Sequence, residues 1–255
     1  CYLCECLDAL SKMAALLGRE EEAARYSERL QALRTRIGEE FYDPETARYA
    51  TGSQIDQIYP MLAGVTASEE VPKVTQRLFR ETRERLGGHI GCGLVGVTVL
   101  TDWAIREGQA DFVCSMLRKR DVPGYLAMID RGATTTWEHW AGDRSRIHNC
   151  FNGIGAWFVQ ALGGIRPDER DPGYRHILFR PQTPAGIRWV RATKETPYGT
   201  AAIDWEIAEG RFAADIVVPA NSTATFFLPD GVRTCELDGR TTETPDGRGA
   251  LAAGR

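Results

Sequence analysis

The sequence has no long apolar run, no excess of basic residues and no phosphate-binding loop, and each absence excludes a class of protein. No stretch approaches the roughly 20 consecutive apolar residues that span a bilayer, so no membrane partner is expected. The formal net charge is −4, with 31 Lys and Arg against 35 Asp and Glu, which argues against nucleic acid as a partner. The Gly-rich segment GGHIGCG (87–93) lacks the Lys-Ser/Thr pair that a phosphate loop requires.

The sequence also lacks a recognisable metal or redox motif, although it contains seven cysteines. Cys1 and Cys4 have the C-x-x-C spacing, but no second pair and no histidine at ligand distance follow. The acidic cluster at residues 20–22 is typical of a helix start, and no Asp-x-Asp calcium loop occurs. We therefore expect reduced thiols, no metal and no cofactor; metal or redox use of the cysteines is the alternative. Reduced thiols favour a cytoplasmic location.

The order of the hydrophobic patterns predicts helices first and strands afterwards. Up to residue 162 the period is helical, and helix, short Gly-containing loop and helix repeat, which predicts stacked hairpins as in an α/α barrel. Successive hairpins share no sequence identity, which disfavours a consensus-repeat solenoid. From residue 166, alternating segments spaced by about ten residues predict an antiparallel β-sandwich. The predicted domains are residues 1–165, an α/α-barrel part, and residues 166–255, the β-sandwich.

Several local features carry separate expectations. Ser68 is expected to cap a helix that runs to Leu86, and the apolar residues 150–162 are expected to form one deeply buried helix. Trp189 and Trp205 lie in predicted strands and are expected in the sandwich core. The polar, Gly-rich tail TTETPDGRGALAAGR is expected to be partly disordered. Because the chain starts at a cysteine already within a helical pattern, we expect it to be the C-terminal part of a longer polypeptide.

The segment RGATTTWEHWAGDRSRIH (131–148) is the strongest candidate for a functional site. It places the carboxylate of Glu138 between two indoles, Trp137 and Trp140. An indole face covers the apolar face of a pyranose, and a carboxylate beside it can activate water or hold a hydroxyl. From these residues alone, Glu138 is either catalytic or a structural hydrogen-bonding group. One indole can line a pocket while the other packs beneath it.

Three motifs in order resemble the C-terminal region of the inverting α-L-rhamnosidases: GATTTWEHW, SRIHNCFNGIGAWF and GYRHILFRPQTPAGIRWVRATKETPYGTAAIDW. The resemblance covers essentially the whole chain and implies the end of an (α/α)6 barrel followed by a C-terminal β-sandwich. It implies hydrolysis of terminal α-L-rhamnosides with inversion, with Glu138 as general base and His148 against the bound sugar. Ile147 departs from the family pattern, in which Asn is usual. The family's general acid lies in an upstream motif that this chain lacks.

Further residues are candidates for lining the same site. His89 lies on a loop between helices, where barrel sites are built and where the family often has histidine. Tyr125 is a similar candidate, and Gln54, Asp56 and Tyr59 lie on a helix start that can face the same mouth. For each of them, a structural role is the alternative.

A general base must be ionised, so Glu138 needs a cationic or donor neighbour. Arg131, His139 and His148 are the candidates, with a structural role as the alternative for His139. The threonines at residues 134–136 are expected to brace the loop through hydroxyl–backbone hydrogen bonds.

These inferences leave three hypotheses open. The first is a glycosidase that acts on a rhamnose-containing oligosaccharide or glycoside, together with the upstream part of the same polypeptide. The second is a non-catalytic carbohydrate-binding remnant, because the acid is missing. The third is another α/α-barrel glycosidase or a lyase. All three expect Glu138 to face a sugar-sized hollow with the indoles excluding bulk water.

Overall fold

The predicted order of helices before strands is confirmed by a computed structural model, which describes residues 1–229, 234–237, 240–243 and 248–252. The helices are α1 (Tyr2–Leu16), α2 (Glu20–Phe41), α3 (Gln54–Leu62), α4 (Val71–Glu84), α5 (Leu94–Arg106), α6 (Ala110–Leu117), α7 (Tyr125–Asp130) and α8 (Gly153–Trp157). A two-stranded hairpin, β1 (Tyr42–Asp43) and β2 (Arg48–Tyr49), separates α2 from α3. None of the helices in this described part of the chain has the length and apolarity that a membrane crossing requires.

The chain divides into two compact units whose residues interleave along the sequence. The first unit comprises residues 1–103 and 115–151, and the second comprises residues 104–114 and 152–255. The division after residue 165 stays a prediction. Among the described residues, Cys1, Cys4, Cys6, Cys92 and Cys150 are free thiols, and their cytoplasmic setting stays a prediction.

Two helix predictions are wrong in detail. The helix expected from Ser68 begins at Val71 as α4, and its N-cap position, Glu70, makes no side-chain capping bond. Pro72 lies in its first turn, where a residue without an amide hydrogen and with a fixed φ is well accommodated. The single helix expected over residues 150–162 is a turn, then α8, then a π-helical turn over Phe158–Leu162. Phe158 is 47% exposed, so this segment is not buried all round.

The second unit contains three sheets. Its strands are β3 (Ile165–Pro167), β4 (His176–Phe179), β5 (Trp189–Thr196), β6 (Gly199–Ala208), β7 (Arg211–Val217), β8 (Thr223–Phe227), β9 (Thr234–Leu237), β10 (Arg240–Glu243) and β11 (Arg248–Ala252). The sheet orders are β11-β8-β4-β3, β5-β6-β7 and β10-β9. Strands β4 and β8 are parallel, so the four-stranded sheet is mixed, and the prediction of a purely antiparallel domain is wrong for this pair.

One hydrophobic core joins the two larger sheets of this unit. It contains Ile177 and Phe179 from β4, and Ile203 and Trp205 from β6. The indole of Trp205 is 1% exposed and donates to Leu162 O at 2.7 Å, so its predicted core position is confirmed.

The core prediction for Trp189 is wrong, because this side chain is 65% exposed. Successive side chains of a strand alternate between faces. Val190 and Ala192 contribute to the core, so Trp189 lies on the opposite face of β5.

The tail expected to be disordered is only partly described. Residues 241–243 and 248–252 belong to strands, and the expectation of partial disorder stays a prediction. Residues 244–247 and 253–255 lie outside the described residues.

Candidate active site

The segment after α7 is a loop closed by two pairs of hydrogen bonds. In the first pair, His148 N donates to Thr136 O at 3.0 Å and the hydroxyl of Thr136 donates to His148 O. In the second pair, Glu138 N donates to Ser145 O at 2.9 Å and Ser145 N donates to Glu138 Oε2 at 3.2 Å. The bracing role predicted for this threonine is confirmed. The loop therefore presents Glu138 from a backbone whose polar groups are paired on both sides.

Trp137 anchors the loop through its buried side chain. Its side chain is 2% exposed, and the guanidinium carbons of Arg131 and Arg146 lie 5.5 and 5.2 Å from its ring centroid. A cation over an indole face is attracted by the ring quadrupole. Gly142 approaches the same ring so closely that a Cβ there would lie 2.4 Å from it. Trp137 is thus a buried support, and Arg131 is engaged with this ring.

Trp140 belongs to an aromatic cluster with Tyr125 and Phe151. Its ring stacks on Phe151 at 3.8 Å and meets Tyr125 edge-on at 5.2 Å. Its indole nitrogen donates to Cys92 O at 3.1 Å, and the Tyr125 hydroxyl donates to Phe151 O at 2.7 Å. Both polar tips are satisfied, as buried Trp and Tyr require. Trp140 and Tyr125 are therefore brought together, and both keep part of their surface accessible.

Gln54 joins the Gly-rich segment 87–93 to the rest of the unit. The side chain is 1% exposed. Its Oε1 accepts from Gly91 N at 2.6 Å, and its Nε2 donates to Thr82 Oγ1 at 2.9 Å and to His89 O at 3.0 Å. A buried amide with these partners is a structural hub rather than a ligand-binding group. Because Cys92 O holds Trp140, this hub also supports the aromatic cluster.

His89 uses both ring nitrogens within the protein. Its Nδ1 lies 2.8 Å from Pro123 O, and its Nε2 lies 3.2 Å from Asp121 Oδ2. Both ring nitrogens therefore face acceptors of the protein, and a nitrogen that carries a hydrogen donates to its neighbour. The structure therefore gives His89 a role in tying its loop to residues 121–123.

His148 and Cys150 are in contact, and the charge of Glu138 acts on Cys150. Glu138 is exposed. Cys150 N donates to His148 Nδ1 at 3.1 Å, so the neutral imidazole carries its hydrogen on Nε2. Burial, and secondly the negative charge of Glu138, raise the pKa of the Cys150 thiol. Glu138 and His148 thus belong to the same hydrogen-bonded loop, and in the described part of the chain Glu138 is exposed rather than shielded from water by the two indoles.

The remaining candidates are engaged elsewhere. His139 Nδ1 lies 2.6 Å from Asp143 Oδ1, and this contact holds the pKa of Asp143 below its usual value. Asp56 accepts hydrogen bonds from Thr51, and the Tyr59 hydroxyl donates to Glu5 at 3.0 Å.

Ile147 is 81% exposed, so the residue that departs from the family pattern points into solvent. Ser145 Oγ instead bridges the backbone of Ile147: it accepts from Ile147 N at 3.3 Å and donates to Ile147 O at 3.0 Å.

No metal site forms among the described residues, in which no group of three His, Cys, Asp or Glu side chains is suitably placed. A cavity of about 280 Å³ in the second unit is lined by Arg106, Asp111, Arg180 and Gln182 among others, and contains none of the predicted site residues.

Some structurally important residues were not predicted. Arg146, Gly142 and Phe151 contact the two indoles. Only Gly142 has a sequence signal, since a glycine in a polar turn often marks positive φ or close approach.

Comparison with known proteins defines the class of this chain. Residues 1–162 match the model of the bacterial alpha-L-rhamnosidase 6 hairpin glycosidase domain, and residues 164–243 match that of the bacterial alpha-L-rhamnosidase C-terminal domain. The chain therefore belongs to the bacterial α-L-rhamnosidase family.

Individual relatives agree with this assignment. An alpha-L-rhamnosidase of Formosa agariphila is 26% identical in an alignment of 240 residues that covers 89% of this chain and 26% of the relative. One from Alteromonas sp. is 27% identical in an alignment of 234 residues that covers 87% of this chain and 25% of the relative. The chain thus spans about a quarter of the length of these curated relatives.

Solved structures show the same fold. The alpha-L-rhamnosidase from Dictyoglumus thermophilum aligns with a TM-score of 0.89 and 25% identity, over 97% of this chain and 30% of that one. The Streptomyces avermitilis alpha-L-rhamnosidase complexed with L-rhamnose aligns with a TM-score of 0.85 and 23% identity, over 97% and 25% of the two chains.

Proposed function

We propose that this chain supplies the general base and part of the sugar-binding surface of an α-L-rhamnosidase that removes terminal α-L-rhamnose with inversion. The observation that carries the proposal is the exposed carboxylate of Glu138 on a loop braced by hydrogen bonds. One oxygen, Oε2, accepts from Ser145 N. Among the residues that the structure describes, Oε1 has no partner, so it is available to a water molecule.

The proposed reaction needs two carboxyl groups on opposite sides of the sugar. Glu138 takes a proton from water as that water attacks the anomeric carbon, while an acid protonates the leaving oxygen. Inverting glycosidases hold the two groups roughly 6.5–9.5 Å apart, which leaves room for the water. In this proposal the acid comes from a part of the protein that precedes these residues.

The other candidates take separate roles in this proposal. His148 donates from Nε2 to a sugar hydroxyl, because Cys150 N occupies Nδ1. Trp140 and Tyr125 form an apolar wall for the sugar ring. Trp137 supports the loop without touching substrate, and His89 holds a neighbouring loop.

Replacing Glu138 by Gln in the full-length protein tests the assignment. We expect kcat on 4-nitrophenyl α-L-rhamnoside to fall on the order of 10³-fold, as general base catalysis contributes this much. Asp143→Asn is the matched control, because Asp143 is an exposed carboxylate of the same loop that pairs with His139. Proton NMR of the first-formed sugar should show the β anomer.

Near wild-type turnover by Glu138→Gln would remove the base role of Glu138. If the wild-type protein binds L-rhamnose by calorimetry and hydrolyses nothing, the non-catalytic carbohydrate-binding alternative replaces the enzyme.

A further inference from the structure

The outer face of the three-stranded sheet, defined as the side of β5, β6 and β7 opposite the core, carries an exposed indole beside carboxylates. Trp189 on β5 is directly opposite Glu206 on β6, which is opposite Ala213 on β7. In the neighbouring row, two residues along each strand, Arg191 is opposite Asp204, and Asp204 is opposite Asp215. Directly opposed side chains on one face have Cβ atoms about 5 Å apart, so these two rows form one surface.

The third row widens this surface without covering the indole. It consists of Thr193, Ala202 and Val217. Ala213 in the first row and Ala202 in the third are small side chains, and Trp189 is 65% exposed.

The carboxylates of this face are not all neutralised within the protein. Arg191 forms an ion pair with Asp204. Among the residues that the structure describes, Glu206 and Asp215 have no hydrogen-bond or ion-pair partner. A carboxylate is a strong acceptor of hydroxyl hydrogens. The face therefore combines one apolar plate with two free acceptors at neighbouring positions.

We propose that this outer face is a carbohydrate-binding surface, on which the indole of Trp189 covers the apolar face of a pyranose while Glu206 and Asp215 accept its hydroxyl hydrogens. Such a ligand is amphipathic, as the surface is. The indole can bury at most about 250 Å², whereas a stable protein interface needs about 800 Å² per partner. Val217, 54% exposed, is the other large apolar side chain of these three rows, so a protein partner would find little apolar area.

The free carboxylates further restrict the ligand to sugars without acidic groups, since an anionic polymer would be repelled at close range. The proposal does not rest on a catalytic role of Glu138. It assigns to the second unit the binding of a neutral polysaccharide. This binding would keep the protein on the polymer whether or not hydrolysis takes place.

Affinity electrophoresis of the full-length protein in native gels tests the surface. The gels contain a neutral rhamnan, an arabinoxylan or a mixed-linkage β-glucan. We expect at least one polymer to retard the wild type. Trp189→Ala should weaken the apparent affinity about tenfold or more, and Glu206→Gln should weaken it by a smaller factor. Trp189 is exposed, so its replacement should leave the melting temperature unchanged.

Two control variants distinguish this surface from a general apolar contact and from the proposed active site. Val217→Ala removes an exposed apolar side chain from the same face and should keep full retardation. His148→Ala weakens the proposed active site and should also keep it, so failure of the active-site assignment leaves this test valid.

No retardation of the wild type by any of the three polymers would overturn the proposal, as would equal retardation of wild type and Trp189→Ala. Equal loss in Val217→Ala would point to a general apolar contact and would also overturn it. So would a change of oligomeric state in Trp189→Ala by sedimentation, because a protein partner would then occupy the face.

Discussion

Replacing Gly142 with alanine tests whether the loop holds Glu138 through Trp137. Gly142 has φ +69°, a left-handed conformation that costs an L-residue with a Cβ about 1–2 kcal/mol. The new Cβ would lie 2.4, 2.7 and 3.2 Å from three atoms of the Trp137 ring. That ring is 2% exposed and has Arg131 and Arg146 over it, so it has little room to retreat. Overpacking of this kind adds about 1–3 kcal/mol.

Gly132→Ala separates the two costs. Gly132 has φ +84°, and no heavy atom lies within 4 Å of its ideal Cβ. Its replacement therefore carries only the cost of the backbone conformation. The difference between the two variants should equal the clash, about 1–3 kcal/mol, or roughly 5- to 150-fold in an equilibrium between correct and displaced loops.

Two measurements on the full-length protein capture this difference. If the loop moves to relieve the clash, kcat/KM on 4-nitrophenyl α-L-rhamnoside falls further in Gly142→Ala than in Gly132→Ala. If the loop stays, the melting temperature falls further instead. Equal values for the two variants in both measurements would refute the supporting role of Trp137.

Other consequences concern three further side chains. Gln54→Ala should lower the free energy of unfolding by about 1–3 kcal/mol, because it leaves buried groups such as the Thr82 hydroxyl without their partner; urea denaturation measures this. His148→Ala should raise KM for the aryl rhamnoside more than it lowers kcat, since His148 is proposed to bind a hydroxyl; steady-state kinetics that show only a kcat loss would contradict this role. The charge of Glu138 helps to raise the pKa of the Cys150 thiol. Glu138→Gln should therefore lower that pKa, increase the thiolate fraction at pH 8 and speed alkylation of Cys150 by iodoacetamide, as followed by peptide mass spectrometry; an unchanged rate would contradict their proximity.

The sequence predicted the order of elements because periodicity and turn residues are local signals. It failed where a choice depends on neighbours in space. Trp189 is strongly apolar, so its residue type predicts burial. It points outward because side chains alternate along β5, and Val190 and Ala192 are the ones that contribute to the core. The parallel pairing of β4 with β8 has no local signature, because the two strands lie far apart in the chain. The start of α4 was misplaced because Ser68 is a good cap by type, whereas Pro72 sets the first turn.

The candidate site divides in the same way. The motif around Glu138 could be recognised from the sequence as a candidate site, because it combines two indoles and a carboxylate at short spacing. The residues that pack against Trp137 could not be predicted, because Arg146 and Gly142 contact its ring only as a result of how the loop folds. The partners of His89, Pro123 O and the side chain of Asp121, lie more than 30 residues away and face its two ring nitrogens. A histidine in a plausible loop therefore has a role that its sequence context does not reveal.

The placement of Glu138 has a physical rationale. A general base must be accurately placed, yet burying a carboxylate penalises its charged form. In this loop the neighbours are buried instead. Trp137 is packed against Gly142, and Trp140 is held by Cys92 O and stacked on Phe151. These contacts fix the backbone on both sides of Glu138 while its carboxylate stays exposed, so the side chain is positioned without being buried.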